Sequence, residues 1–542
     1  MDKRKRKNAI LGGLKDWCDT HNGLLFCGLS FFVLALVLII AYSCNSFGAK
    51  GIVFSQASGF YDHSLSVSIK KEGLFAENDG EIRYTLDGDN PEVSGKKYEE
   101  KIELVVPSRG YTVYTITAAI CSQNQKCTKP EVATYILGKD LEHDLTLDIV
   151  SLNSFHDNLY DYDTGIMAQG KTYDYHLGNG FDLETTPGNY NNRGKEWIRD
   201  ANVFIGSLNE GEKYNNSVRI ELSGGSSSSF DLKSIKVLFD DNNLLNNYFD
   251  DGLTQKSIRL HLGGQDQFSG GLRSSIASRL AKESGFDGYT NSKRAVVFLN
   301  GRFYGIASVQ QNFSAEFIAE KFGLKNHKEI EKRKGGEFAT YDEIGVNKLM
   351  SADLNDPDNR ESLEQAVDMD DYLKYYAIQI MWNNTDWPGN NFETWQYIGE
   401  EDDSNPYTDG RVRHIIYDTD LIYYNEKNIA WSDGSIGDIF EYLMKGQFRG
   451  EKSLFKNVMA SEYYRSNFIS ILRELINGPF ATENVLSIID EEKDKVDYQM
   501  SSFYNEGEYE EWLEWVNVMK ETAAKREGEV RTDIKKYFGV DL

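Results

Sequence analysis

The chain has 542 residues, enough for three or four domains of ordinary size, or for one large domain with a small one beside it. Hydrophobic residues make up 40 % and aromatic residues 13 %, so a large core can be buried and a disordered or fibrous chain is excluded. With 85 acidic against 59 basic residues the formal net charge is −26, which speaks against a nucleic-acid partner.

Residues 3–7 read KRKRK, and residues 24–42 read LLFCGLSFFVLALVLIIAY, free of charge and of proline. At 1.5 Å per residue that run covers roughly 28 Å, enough to cross a hydrocarbon core. The basic cluster before it places the N-terminus in the cytosol. A cleaved signal peptide is the rival, with a shorter apolar core of about 7–15 residues. The sequence therefore predicts a signal anchor at 24–42 after a cytoplasmic stretch 1–23. The protein would be single-pass, with the cytoplasmic membrane as a partner and the body outside it. Of five cysteines only Cys121 and Cys127 lie in the body, in CSQNQKC. That spacing suits a bridge across a hairpin in an oxidising compartment, with two free thiols as the alternative.

Residues 50–140 alternate as strands do, in SLSVSIK, EIRYTL, KIELVV and TVYTITAAI. TLDGDNP is a turn, since Asp, Gly, Asn and Pro supply its dihedrals and local hydrogen bonds. These segments resemble the small β-sandwich related to the C-terminal domain of chitobiases and β-hexosaminidases. Such a sandwich serves as a spacer, or as a docking module for a cell-wall polysaccharide.

From about 145 to 542 the pattern predicts one large α+β domain with a helical C-terminal part. VRIELSGGSSSSFDLKSIKVLF is a strand, a Gly/Ser turn containing Gly224 and Gly225, and a strand with Lys233 at its start. SGGLRSSIASRLAKESG puts Leu272, Ile276 and Leu280 on one stripe of a helix. KRAVVFLNGRFYGIASV is a hairpin on an Asn-Gly turn. NFSAEFIAEKFG is a helix capped at Asn312 or Ser314, and residues 367–382 form another that leads into NNTDWPGNN. RVRHIIYDTDLIYY is a strand ending in paired acids.

Asp386, Asn391 five residues later, then Asp418 and Asp420 two apart, are residue types suited to phosphoryl transfer. One aspartate positions or deprotonates the acceptor hydroxyl, while an asparagine and a later aspartate hold a divalent cation against the phosphates. Gly224 and Gly225 could bring backbone N–H groups to phosphate oxygens, and Lys233 could reach the phosphates. Asp-x4-Asn is common by chance, and on spacing alone a capped loop with a calcium-like structural acid cluster is the plainer reading. Four blocks go further: VRIELSGGSSSSFDLKSIKV, LHLGGQDQFSGGLRSSIASRL, VVFLNGRFYGIASVQQNFSAEFIAEKFG, and NNTDWPGNNFETWQ followed by IIYDTDL. Over residues 145–480 they resemble the CotH kinases, the spore-coat-type atypical protein kinases of bacteria.

The resemblance implies a reduced kinase-like fold using ATP with Mg²⁺ or Mn²⁺ to phosphorylate Ser/Thr of a surface or coat protein. It assigns Asp386 as catalytic aspartate and Asn391, with Asn390, as metal or phosphate partner. Asp418 would be the metal aspartate, supported by Asp420, and Lys233 the phosphate lysine. Lys332 and Lys334 are further phosphate candidates. One departure is Gln311, which stands where the family commonly has glutamate; Glu316 or Glu331 would have to replace it. An inactive surface or scaffold protein is the alternative function. A glycosidase lacks any motif that picks its two carboxyls.

Overall fold

The computed structural model describes residues 51–72, 80–122, 126–179, 186–208, 213–424, 438–448 and 451–542. The segment 24–42 lies outside them. Among the described residues no helix is long and apolar enough to cross a membrane. The expected spanning helix therefore has no counterpart among the described residues, and the single-pass topology, membrane partner and extracytoplasmic location that rested on it are withdrawn. The longest described helix, Glu506–Phe538, has the length but carries charged residues on every turn.

Residues 52–138 build a small all-β module. Its five-stranded sheet has the order Gly59–Tyr61, Glu131–Gly138, Tyr111–Cys121, Glu81–Thr85, Lys96–Lys97. Two short strand pairs, Ile52–Phe54 with Ile69–Lys71 and Leu65–Val67 with Ile102–Leu104, share a core with it. Cys121 and Cys127 are bridged. Intact mass should accordingly rise on reduction by about the mass of two protons, and an unchanged mass would reject the bridge. The module leans on the rest of the chain: Asn215 Nδ2 donates to Ser58 Oγ at 2.9 Å, and Phe60 meets Phe204 edge-on at 5.9 Å.

A closed barrel follows, of strands β1 (Asp148–Asn153), β2 (Arg199–Gly206), β3 (Tyr214–Leu222), β4 (Ile235–Leu238), β5 (Ser257–His261), β6 (Ser292–Leu299) and β7 (Arg302–Gln311). Its order is β1-β2-β3-β4-β5-β7-β6, closed by the parallel pairing of β6 with β1. Side chains alternate across each strand. Val150, Val218, Ile220, Ile258, Leu260, Val297 and Val309 fill the interior, while Ile149, Phe204, Val296 and Phe298 face outward into the main core. The predicted Asn-Gly turn joins β6 to β7 with φ of 52° at Asn300 and 75° at Gly301, as a tight hairpin turn requires.

Helix α1 (Arg273–Glu283) packs on the barrel through the predicted stripe of Leu272, Ile276 and Leu280, all fully buried. Beyond it lies a three-stranded sheet of β8 (Ile330–Gly335), β9 (Phe392–Tyr397) and β10 (Arg413–Ile415), in that order. The helical part contains α2 (Met369–Trp382), α3 (Glu462–Ile476), α4 (Thr482–Phe503) and α5 (Glu506–Phe538), which share one core with the outer face of the barrel. Asp368 caps α2 by accepting from Asp371 N at 3.2 Å. Asn383 ends it with φ of 51°, a left-handed geometry that asparagine tolerates.

Candidate functional site

Where the barrel meets α1 and the three-stranded sheet there is a cleft of about 180 Å³. The barrel contributes Ser223, Arg259, Gln310 and Gln311, and α1 contributes Ser274, Ala277 and Ser278. The sheet side contributes Lys332, Lys334 and Glu393, then Ile415 through Thr419, with Asp418 among them. Tyr289 and Phe313 add an aromatic rim.

The roof is polar for a reason written in the strands. Glu221, Lys236 and Arg259 each sit between two inward apolar residues, so each points outward. Register sets Glu221 opposite Lys236, Lys236 opposite Arg259, and Arg259 opposite Gln310. Lys236 donates to Glu221 at 2.9 Å. Among the described residues the buried Nε of Arg259 has no hydrogen-bond partner.

Across the cleft, Lys332 pairs with Glu393 at 2.5 Å and donates to Phe313 O at 2.5 Å. The Lys334 ammonium lies 4.1 Å from the centroid of the Tyr417 ring. Burial pushes the Asp418 carboxyl above the usual range and Asp420 adds to the shift, while Arg259, His261 and Lys334 pull it back. Asp418 thus faces cations from both sides of the cleft.

Strand β10 ends at Ile415, so the two acids are not on a strand; Asp418 occupies a left-handed turn with φ of 54°. Asp420 is used differently. It is buried, with Oδ1 2.9 Å from His261 Nε2 and Oδ2 accepting from Gln265 N at 3.1 Å. The turn over it needs glycine: a Cβ on Gly264, which has φ of 50°, would stand 2.1 Å from Asp420 Oδ2. Beneath lies Asp266, ion-paired to Arg273 and accepting from Arg273 N at 2.8 Å. The Arg273 guanidinium also donates to Ser269 O at 2.6 Å and to Ile422 O at 2.8 Å, binding α1 to the chain that leaves Asp420.

Asp386, Asn390 and Asn391 form a second cluster beside the cleft. Asp386 Oδ2 accepts from Asn391 Nδ2 at 2.8 Å and from Asn390 Nδ2 at 3.2 Å. Their loop is pinned by Trp387, which is fully buried and meets Tyr376 edge-on at 4.7 Å, and it carries a cis Trp387–Pro388 bond. Asp386, half-buried, is left at the surface of the loop. Tyr417 links the clusters: its hydroxyl is pushed up mainly by burial, and Glu393, Asp418 and Asp386 all add to the shift.

Lys233, Gly224 and Gly225 do not line the cleft, although Ser223, next in the chain to Gly224, does. The Lys233 ammonium donates to Phe230 O at 2.6 Å and stacks on Tyr190 at 4.6 Å. Gly224 O accepts from Arg193 at 2.6 Å. Glu316 and Glu331 do not line the cleft. Gln311 does, with its amide committed: Oε1 accepts from Asn291 N at 2.8 Å and Nε2 donates to Asp251 Oδ2 at 2.6 Å. Gln311→Glu would set a carboxylate against Asp251. A stability loss of roughly 2–4 kcal/mol is expected at neutral pH. The new carboxyl would have a folded pKa above its unfolded value of about 4.3, so the folded state would hold the extra proton and the loss should shrink as pH falls through that raised pKa. Urea titrations at two pH values check this; equal stability with wild type at neutral pH would reject the contact.

The family comparison bears on the same region. Residues 220–530 match the family described as CotH kinase protein. The chain belongs to the CotH kinase family. The CotH match takes in the cleft from the end of β3 to most of α5. It does not reach residues 50–140, so their likeness to the chitobiase-type sandwich gains nothing from it. Among curated proteins none matches the chain.

Among the described residues no group of three or more His, Cys, Asp or Glu side chains is placed to hold a metal ion. A cation of the Mg²⁺ type does not require one, because it is held by one or two carboxylates together with substrate phosphates. Asp418 and Glu393 are the carboxylates that line the cleft, and both offer hard oxygen donors. Sequence reasoning missed Arg259 and Glu393 among the residues that line the cleft. Their signal was present in outward positions of strands that otherwise read as apolar.

Proposed function

We propose that this CotH-family chain is a protein kinase that moves the γ-phosphoryl group of ATP to a Ser/Thr hydroxyl. The observation that carries the reading is the cleft lined by Asp418, Arg259, Lys332 and Lys334, with Asp386 near enough to its Tyr417 to raise the pKa of that hydroxyl. The apolar lining groups Ala277, Tyr289, Phe313 and Ile415 suit a purine, and the cationic groups Arg259, Lys332 and Lys334 suit phosphates. Asp418 and Asn391 would hold Mg²⁺ or Mn²⁺, which supplies charge neutralisation at the phosphates. Arg259 and Lys334 orient the phosphate oxygens, and Glu393 keeps Lys332 in place. Asp386, steadied by Asn390 and Asn391, accepts the proton of the acceptor hydroxyl as its oxygen bonds to phosphorus. The bond from the γ-phosphorus to the bridging oxygen breaks, and ADP leaves.

The test is incubation of the full chain with labelled ATP and Mn²⁺ or Mg²⁺, following label into itself and into Ser-rich proteins. Asp418→Asn should weaken cation-dependent nucleotide binding by about tenfold or more, read by titration calorimetry. Binding equal to wild type in that variant moves the cation site elsewhere. Nucleotide binding without transfer to any acceptor would instead favour a scaffold that has kept the cleft.

A further inference from the structure

A second cavity, of about 460 Å³, adjoins the opposite flank of α1. Five of its thirteen lining residues are basic: Arg279, Lys282, Lys293, Arg294 and Lys495. In the whole chain only 59 of 542 are, and the net charge is −26, so this concentration runs against the composition. Two carboxylates, Asp148 and Glu492, also line it. Both are engaged: Asp148 accepts from Tyr248 at 2.6 Å, and Glu492 is ion-paired to Lys495.

Arg294 is the decisive group. It is 9 % exposed, and its Nη1 donates to Gly271 O at 3.0 Å and Ser275 Oγ at 3.4 Å. Its Nε is buried without a hydrogen-bond partner, and none of the ion pairs formed among the described residues involves Arg294. The Glu492 and Asp266 carboxylates act on Arg294 without a direct ion pair, and an anion with several acceptor oxygens would add the direct contact that a buried guanidinium lacks. Burial pulls the Arg294 pKa down, and Glu492 and Asp266 offset only part of that. Ser275, Ser278 and Ser292 bring hydroxyls to the same cavity. Lys282 is exposed at its edge, and Arg279 is held by Glu283 and Glu491 in part-exposed pairs that are weak and exchangeable. A group with a tetrahedral set of charged oxygens matches this combination of guanidinium, ammonium and hydroxyl donors.

We infer that this cavity binds a phosphate group, at a site distinct from the nucleotide cleft. Ser278 lines both cavities, so an occupant here contacts the helix that forms one wall of the cleft. The phosphate can come from free phosphate or from a phosphorylated serine, and the two are separable.

The experiment titrates inorganic phosphate into the full chain by calorimetry, without nucleotide or divalent cation, at physiological salt. One saturable site is expected. Lys282→Glu, an exposed change that leaves the core alone, and Arg294→Gln should each weaken it by about tenfold or more, while Arg294→Lys should retain part of it. Lys334→Gln, in the nucleotide cleft, should leave it unchanged. A phosphoserine peptide that binds tighter than phosphate, with its unphosphorylated form not binding, assigns the source to a modified chain; equal affinities assign it to the free anion. The inference is overturned if neither probe saturates, if binding survives Lys282→Glu, or if it is lost in Lys334→Gln.

Discussion

Asp386→Asn is expected to lower the rate of phosphoryl transfer by about 10²–10⁴-fold while leaving nucleotide affinity within about threefold of wild type. The side chain keeps its shape, and one oxygen can still accept from Asn391, which now donates to Asp386 Oδ2 at 2.8 Å. Trp387 remains buried and continues to set the loop. What is lost is the carboxylate that takes the hydroxyl proton, a service rendered only as the reaction proceeds. Asp418→Asn should give the opposite pattern, weakening nucleotide binding together with turnover. Single-turnover transfer with nucleotide affinity measured in parallel separates the two. If Asp386→Asn transfers phosphate at more than about a tenth of the wild-type rate, another group is the base.

Arg273→Ala should cost about 3–5 kcal/mol of stability, the usual penalty for removing one partner of a buried ion pair. Arg273 is fully buried and satisfies Asp266, Ser269 and Ile422 at once. Without it the Asp266 carboxyl stays buried near Asp420; burial and Asp420 already push its pKa up even with the arginine in place. A folded pKa above the unfolded one means that the folded state holds the extra proton. The cost of the variant should therefore be largest at neutral pH and decline on acidification. The double variant Arg273→Met, Asp266→Leu removes both charges and should recover much of the loss. Urea unfolding at neutral pH decides it: a change below about 1 kcal/mol would mean that the pair does not hold α1 to the acid loop.

Much of the framework could be read from the sequence because it rests on local patterns. The stripe of Leu272, Ile276 and Leu280, the Asn300–Gly301 turn and the Ser314 cap, which accepts from Phe317 N at 3.2 Å, each obey a short-range rule. The site was legible only in part. Asp386 with Asn391, and Asp418 with Lys332, come together in the fold, but the first two are neighbours in the chain while Lys332 and Asp418 meet through a sheet. Lys233 looked like the cation of the lysine strand. That strand begins at Ile235; Lys236 is its outward cation, and Arg259, opposite it on the next strand, is the one that lines the cleft. One residue of register decides which side chain faces the cleft, and periodicity in a strand of four residues cannot fix it. Gln311 read as a missing charge, whereas its amide is a bracket between Asn291 and Asp251, a role that depends on residues twenty and sixty positions away.

The contacts of Asp420 and Arg273 have a mechanical consequence. His261 and Gln265 on the barrel side hold Asp420, and α1 holds Ile422 through Arg273, so the two halves of the molecule are stitched together next to Asp418. The aromatic rim is tied as well, since Lys332 donates to Phe313 O at 2.5 Å and Lys321 to Tyr289 O at 2.9 Å. A mouth sewn at both corners keeps its width, so a nucleotide entering it would meet a frame set before its arrival.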